Sequence, residues 1–370
     1  MPGNNHLKIN PKNILIIRLS SLGDIIHCLP VSYNLKKYYP KACVTWVVRE
    51  RYAELLTMDT SLDEIIAIKD IAQNKLLSRI REIIKIIKLI REKRFDAVLD
   101  LHCALITNII SVFSCSPVKF GIDKRNELGF KILKYSPLSK SKETHRINAY
   151  LSLLKLFGIY ENEIKYSFSI PDQSKNKALN LLKEIDYTPK ETIIAIHPGT
   201  ALMIKNWGIA KFAKIASILS TQHDCKVIII YGENEKYCEK DTVIKLFNHK
   251  VGFAFCPNIE YLTALIERCD LLIGNDSGSI HLAAALKIPT VSIFGPSNHL
   301  VSSPWGEKHK VVRKDLPCSP CYGRFSVRFK CKNKNRQECL KSISAEDVLN
   351  AVEPIIKEIT DAKQKKAAGK

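Results

Sequence analysis

The chain has 370 residues, 46% of them hydrophobic, and carries 57 Lys and Arg against 37 Asp and Glu, a net charge of +20. That length predicts two domains of ~150 to 200 residues with ample core. With no run of about 18 uncharged apolar residues and no apolar signal core in residues 1–13, neither a membrane span nor secretion is expected, and the chain is placed in the cytoplasm. The positive charge calls for an anionic partner: nucleic acid, an anionic membrane surface or a phosphorylated substrate. No zinc-finger pair, RNP-like strand or recognition helix is legible, which argues against nucleic acid.

Apolar periodicity then reads as alternating strands and helices. Residues 14–18 (strand), 25–38 (helix), 43–48 (strand), 52–56 (helix), 64–68 (strand), 76–92 (helix) and 97–101 (strand) make up the first half. The second half repeats the alternation at 192–196, 209–219, 226–231, 261–267, 271–273, 281–286 and 290–294. Alternation of this kind predicts parallel sheets covered by helices, so the fold class is α/β with two doubly wound domains. Boundaries are set at 1–170 and 171–345, because the polar, turn-rich stretch 171–190 opens or connects the second domain. A last helix at 345–359 and a Lys-rich tail at 363–370, expected to be disordered, form the C-terminal part from residue 346.

Ligands of open α/β sheets bind beyond the carboxyl ends of the strands, so the loops there are read for chemistry. The first is Arg18-Leu-Ser-Ser-Leu-Gly-Asp24, where Ser20, Ser21 and Gly23 form a small-residue turn and Asp24 stands at the mouth of a helix. The turn lacks Walker A spacing and its Lys-Ser/Thr pair, and a carboxylate there repels a nucleotide phosphate. Asp24 therefore suits a base or a helix cap. Further on, His197-Pro-Gly-Thr200 offers a hydroxyl at Thr200, and Lys205 brings a cation that either neutralises a phosphate or is simply solvated. After the following strand, Gly232-Glu-Asn-Glu235 places carboxylates beside a turn, as ribose contacts or as first-turn acids of a helix.

The most informative loop is Asn275-Asp-Ser-Gly-Ser-Ile-His-Leu-Ala-Ala-Ala, between an apolar strand and an Ala-rich helix. Small side chains at Ser277, Gly278 and Ser279 let a diphosphate approach helix N-terminal N–H groups, although the same turn also works as a plain cap. Asp276 would oppose such an anion, which points it to sugar hydroxyls or to the N-cap. His281, about one turn on, reads as a packed helix residue.

Taken together, Ile16-Ile-Arg-Leu-Ser-Ser-Leu-Gly-Asp24-Ile-Ile-His, His197-Pro-Gly-Thr and Asn275-Asp-Ser-Gly-Ser-Ile-His-Leu-Ala-Ala-Ala resemble the glycosyltransferase family 9 heptosyltransferases, in order from about residue 13 to residue 352. The resemblance implies two facing Rossmann-like domains of GT-B type, with the acceptor on the N-terminal one and ADP-heptose on the C-terminal one. It implies an inverting, metal-independent transfer of heptose to the Kdo/heptose inner core of lipid A, with no cofactor beyond the ADP-heptose donor. Asp24 matches the family's catalytic base and Lys205 its diphosphate-contacting lysine. Thr200, Glu235, Asp276, Ser277 and Gly278 match donor contacts, and Ser20, Ser21 and Gly23 shape the acceptor side. His102-Cys-Ala departs from the Gln-Gly type of sequence usual after the Asp-Leu strand, which leaves the acceptor preference open. The alternatives are a family 9 enzyme for another cell-surface glycan, a nucleotide-sugar epimerase of similar architecture, or a non-catalytic protein that binds an anionic ligand.

Two further features stand apart. The basic, apolar helix at residues 75–94 either covers a sheet through Ile83, Ile84, Ile87 and Ile90 or rests on the anionic inner face of the inner membrane, giving a peripheral protein. Cys318, Cys321, Cys331 and Cys339 have a spacing tolerable for structural zinc, but reduced or disulfide-prone thiols are the default and no catalytic metal is expected.

Overall fold

The computed structural model describes residues 10–71, 76–122, 134–136, 144–185, 187–188, 191–223, 225–233, 235, 244–247, 250–321 and 331–368. The chain divides into two compact units, Met1–Ser169 and Ile170–Lys370. Each is built on a six-stranded sheet in which every pairing is parallel.

In the first unit the strands are β1 (Asn13–Ile17), β2 (Cys43–Arg49), β3 (Glu64–Ile68), β4 (Ala97–Asp100), β5 (Val118–Ile122) and β6 (Lys134–Ser136), in the order β3-β2-β1-β4-β5-β6. Their apolar runs follow from covering on both faces: Ile14, Leu15, Ile16 and Ile17 are all fully buried, as are Val98 and Leu99 beside them. The second unit holds β7 (Thr192–His197), β8 (Cys225–Tyr231), β9 (Val251–Phe255), β10 (Leu271–Asn275), β11 (Thr290–Ile293) and β12 (His309–Val312). Their order, β9-β8-β7-β10-β11-β12, repeats that of the first unit strand for strand. In both, the strand order reverses at the centre, between β1 and β4 and between β7 and β10. In open α/β sheets a reversal of this kind is where the loops leaving neighbouring strands diverge and where ligands bind.

Several elements differ from the sequence expectation. β5, β6, β9 and β12, which are short or edge strands, and the helix Leu105–Phe113, which follows β4, lie outside the expected elements. The final helix runs over Ala345–Ala368, well past residue 359, and its Val348, Val352, Ile355 and Ile356 belong to the second unit's core. The expected disorder from residue 363 is overturned at its start: Lys363 Nζ donates to the Glu191 carbonyl and to Asp270 Oδ2, both at 2.6 Å. The ion pair with Asp270 neutralises that cation.

The helix Leu76–Lys93 departs from a fully sheet-covering role. Ile86 and Ile90 are buried, but Ile84 is 60% exposed and Leu76, Leu77 and Ile80 also face solvent. Among the described residues no helix is long and apolar enough to cross a membrane.

Candidate active site at two switch points

In the first unit, β1 ends beside β4, with Ile17 in register with Asp100. The chain leaves β1 through Arg18 and turns into the helix Leu22–Tyr38, with Ser21 extended at its N-cap (φ −87°, ψ 178°). Asp24, the third helical residue, accepts from the Ser21 N–H at 3.3 Å and the Ser21 hydroxyl at 2.9 Å, both through Oδ2. Ser21, not Asp24, therefore takes the N-cap position, and Asp24 closes a capping box from the third helical position.

Asp24 also does more than cap. Arg18 Nη2 lies 2.8 Å from Oδ2, and the Arg146 guanidinium bonds Oδ1. Arg18 is nearly buried and fixed: Nη1 donates to the Leu101 carbonyl at 2.6 Å, and the guanidinium lies 5.8 Å from the centre of the Tyr150 ring. Burial opposes the charge on Asp24, yet Arg18, then Arg146 and His27, overcome it and hold the carboxyl well below the usual carboxylate range. Ser20 and Gly23 complete the turn. On the β4 side, Asp100 Oδ1 accepts the N–H groups of His102 and Cys103 at 3.0 and 2.8 Å, which fixes the His102-Cys-Ala turn.

At the second switch point, Gly274 of β10 is in register with His197 of β7. Asn275 ties the two loops together: Oδ1 accepts the Trp207 N–H at 3.0 Å and Nδ2 donates to the Pro198 carbonyl at 2.7 Å. Glu235 reaches back to accept the Gly232 N–H at 2.8 Å and packs on Gly199, where a Cβ would fall 2.6 Å from its Cγ. Thr200 follows, half-buried, in the same loop. His197 Nδ1 is 2.5 Å from Ser279 Oγ, itself 2.9 Å from Ser277 Oγ. Burial lowers the His197 pKa despite the opposing charge of Glu235, so its imidazole is neutral near pH 7.

Ser277 takes the N-cap position of the helix Gly278–Ala285, leaving Asp276 one residue before it, so the N-cap alternative for Asp276 is set aside. Asp276 is buried, with Oδ2 2.7 Å from Lys205 Nζ, and His281 Nε2 lies 4.0 Å from Oδ1. Lys205 balances the charge of Asp276, and the reading of Lys205 as a freely solvated cation does not hold. His281 is buried on the helix, consistent with a packed residue.

The structure therefore brings Lys205, Asp276, Ser277 and Gly278 together at one switch point, with Glu235 and Gly199 on the neighbouring loop, and gathers Ser21 and Asp24 at the other. Sequence reading assigned no role to the side chains of Arg18 or Asn275, although both sit at strand ends, where a role is most expected, and it valued Ser279 only for its small size rather than for its contact with His197. Arg146 left no sequence signal: 122 positions separate it from Asp24, and only the fold makes them neighbours.

Among the described residues, no group of three or more His, Cys, Asp and Glu side chains is arranged to hold a metal ion. Cys318, Cys321, Cys331 and Cys339 are free thiols. Cys331 Sγ accepts the Gln337 N–H at 3.2 Å, and burial, aided by the other three cysteines, pushes Cys339 up to about 11.

Comparison with known proteins identifies the family. The chain is 27% identical over 305 residues to the lipopolysaccharide core heptosyltransferase OpsX of Haemophilus influenzae, covering 82% of this chain and 84% of that protein. It is 28% identical over 344 residues to lipooligosaccharide heptosyltransferase 2 of Campylobacter jejuni, covering 91% and 96%. The fold of the E. coli ADP-heptose lps heptosyltransferase II is similar, with a TM-score of 0.73 at 20% identity over 94% of this chain and 99% of that one. The model of glycosyltransferase family 9 (heptosyltransferase) matches residues 83–332, and this chain belongs to that family.

Proposed function

We propose that the protein moves a heptose from ADP-heptose to the Kdo/heptose inner core of lipid A, with inversion and without a metal. The observation that carries this reading is the division of labour between switch points: a carboxylate, Asp24, at one, and a cation with helix N–H groups, Lys205 and the Ser277–Gly278 turn, at the other.

Inversion needs a base on the acceptor side. Asp24 takes the proton of a sugar hydroxyl as its oxygen bonds to C1 of the heptose, while Ser20, Ser21 and Gly23 keep the turn small enough for the acceptor. The C1–O bond to the diphosphate breaks, and its electron pair leaves with ADP. Lys205, the N–H groups of Ser277 and Gly278, and the Thr200 hydroxyl take up that charge, the part a divalent cation plays elsewhere. Asp276 keeps its partner in Lys205 and faces the heptose hydroxyls, and Glu235 is placed for the ribose diol.

The acceptor is lipid-linked, so the protein works at the cytoplasmic face of the inner membrane as a peripheral protein. The helix Leu76–Lys93 supports that contact with exposed Leu77 (72%) and Ile84 (60%) beside Arg81, Lys88 and Arg91.

Incubation with ADP-heptose and either Kdo2-lipid A or its monoheptosyl form, read by mass, tests the proposal. A heptose gained by one of them, with EDTA present, is the expected result. Binding of ADP-heptose with no transfer to either acceptor removes this acceptor and leaves another glycan or a non-catalytic binding role.

A further inference from the structure

We infer that Arg146 restrains Asp24 in the free protein and leaves it for an anionic group on the acceptor, so that only an acidic acceptor frees the base. This rests on the reading of Asp24 as the acceptor-side base.

A base must offer an open oxygen. Oδ2 of Asp24 is committed to Arg18, the Ser21 N–H and the Ser21 hydroxyl, none of which has reason to move. Oδ1 is the oxygen left for a substrate hydroxyl, and Arg146 bonds it. The two arginines differ in how firmly they are held. Arg18 is buried, with a 7% exposed side chain and a second bond to the Leu101 carbonyl, whereas Arg146 is 38% exposed at the first position of the short helix Arg146–Leu151. Arg146 is the partner that can be exchanged.

The charge balance supplies the force. The elements around Asp24 bring Arg18 from the end of β1, His27 and Cys28 from its own helix, Tyr52 from the turn after β2, and Arg146 and Tyr150 from the later helix. Among the described residues two guanidiniums face one carboxylate, so the cluster carries one more positive than negative charge and attracts an anion. A carboxylate on the acceptor sugar, beside the attacking hydroxyl, takes Arg146 as a new ion pair. The hydroxyl then donates to the vacated Oδ1. As the acceptor O–C1 bond forms and the C1–O bond to diphosphate breaks, the proton passes to Asp24; Arg146 stays protonated throughout. Arg146 is thus a positioning residue with an acceptor-anion contact, and it makes acceptor charge a condition of turnover.

The test compares wild type, Arg146→Met and Arg146→Lys on two soluble acceptors, a methyl glycoside of the acidic sugar and its neutral methyl ester. The Asp24 carboxyl is followed in parallel by carbon-13 NMR. In Arg146→Met the Asp24 titration is expected about one to three pH units higher than in wild type, with Arg146→Lys restoring most of the difference. With the neutral ester, Arg146→Met is expected to turn over on the order of tenfold faster than wild type, while its KM for the acidic acceptor rises. A merely structural role does not make any variant faster. Addition of the acidic glycoside should move the wild-type Asp24 titration upward, whereas the ester, or inorganic phosphate at equal ionic strength, should not. An unchanged Asp24 titration in Arg146→Met, or equal preference for acid over ester in wild type and variant, overturns the inference. If neither acceptor is turned over by any variant but the NMR shifts follow Arg146, the coupling stands and the transferase reading is what fails.

Discussion

Asp24 is at once a capping residue, an ion-pair partner and the proposed base: Oδ2 serves both the cap and Arg18, and Oδ1, bonded by Arg146, is the oxygen left for a proton. Its lowered pKa gives a stability signature. A carboxyl whose pKa falls on folding contributes stability above its unfolded value, near 3.9, and loses it as pH drops toward the folded value. Asp24→Asn should therefore lower Tm at pH 7, with the gap to wild type narrowing steadily below about pH 4. In turnover the same variant is expected to lose on the order of 10² to 10⁴ in kcat while binding of ADP-heptose, measured by calorimetry, is retained. Lys205 and Asp276 make the matching case in the second unit. Replacing Lys205 by Met leaves the buried Asp276 carboxylate without its ion pair and should cost about 3 kcal/mol, read by urea unfolding. Lys205→Met with Asp276→Asn should recover much of that stability but not ADP affinity, because the diphosphate still lacks its cation.

Elements decide how closely the two loops of a switch point can approach. β7 and β10 pair so that a Cβ on Gly274 would lie 2.9 Å from the His197 carbonyl, which neither strand can avoid without moving backbone. Gly274→Ala should cost about 1 to 3 kcal/mol by thermal unfolding and loosen the His197–Ser279 contact one turn away. At the sheet edge, His309 of β12 has Nδ1 3.1 Å from Thr290 Oγ1, and burial lowers its pKa to about 4. Between that value and the ordinary 6.5 the unfolded chain binds the extra proton, so this contribution to stability falls as pH is lowered from about 6.5 to 4. His309→Gln should flatten that part of the Tm against pH curve.

At the scale of the whole molecule, a net charge of +20 and the exposed apolar residues of the helix Leu76–Lys93 point to a negatively charged surface. Vesicles rich in anionic lipid should sediment the protein at low salt and release it as ionic strength rises, with neutral vesicles binding far less. Leu77→Ser with Ile84→Ser should weaken sedimentation, and no change would remove this helix as the contact.

Periodicity alone determined much of the architecture, because strands buried on both faces must be continuous apolar runs such as Ile14 to Ile17 and amphipathic helices must alternate with them. Loop chemistry was equally local: a helix N-terminus exposes N–H groups wherever it occurs, so Asp24 and the Asp276-Ser-Gly turn could be located before any coordinates. What only the tertiary structure decided is which of those groups meet. Strand order put the β1 loop beside the β4 loop and the β7 loop beside the β10 loop, and it carried Arg146 to Asp24 across 122 positions and Lys205 to Asp276 across 71. Exposure of Ile84 and burial of Asp276 were likewise beyond reach, because the side of a helix that packs and the dielectric around a charge depend on neighbours distant in sequence. Hydrophobic periodicity is a property of a segment, whereas charge pairing and burial are properties of the assembled fold.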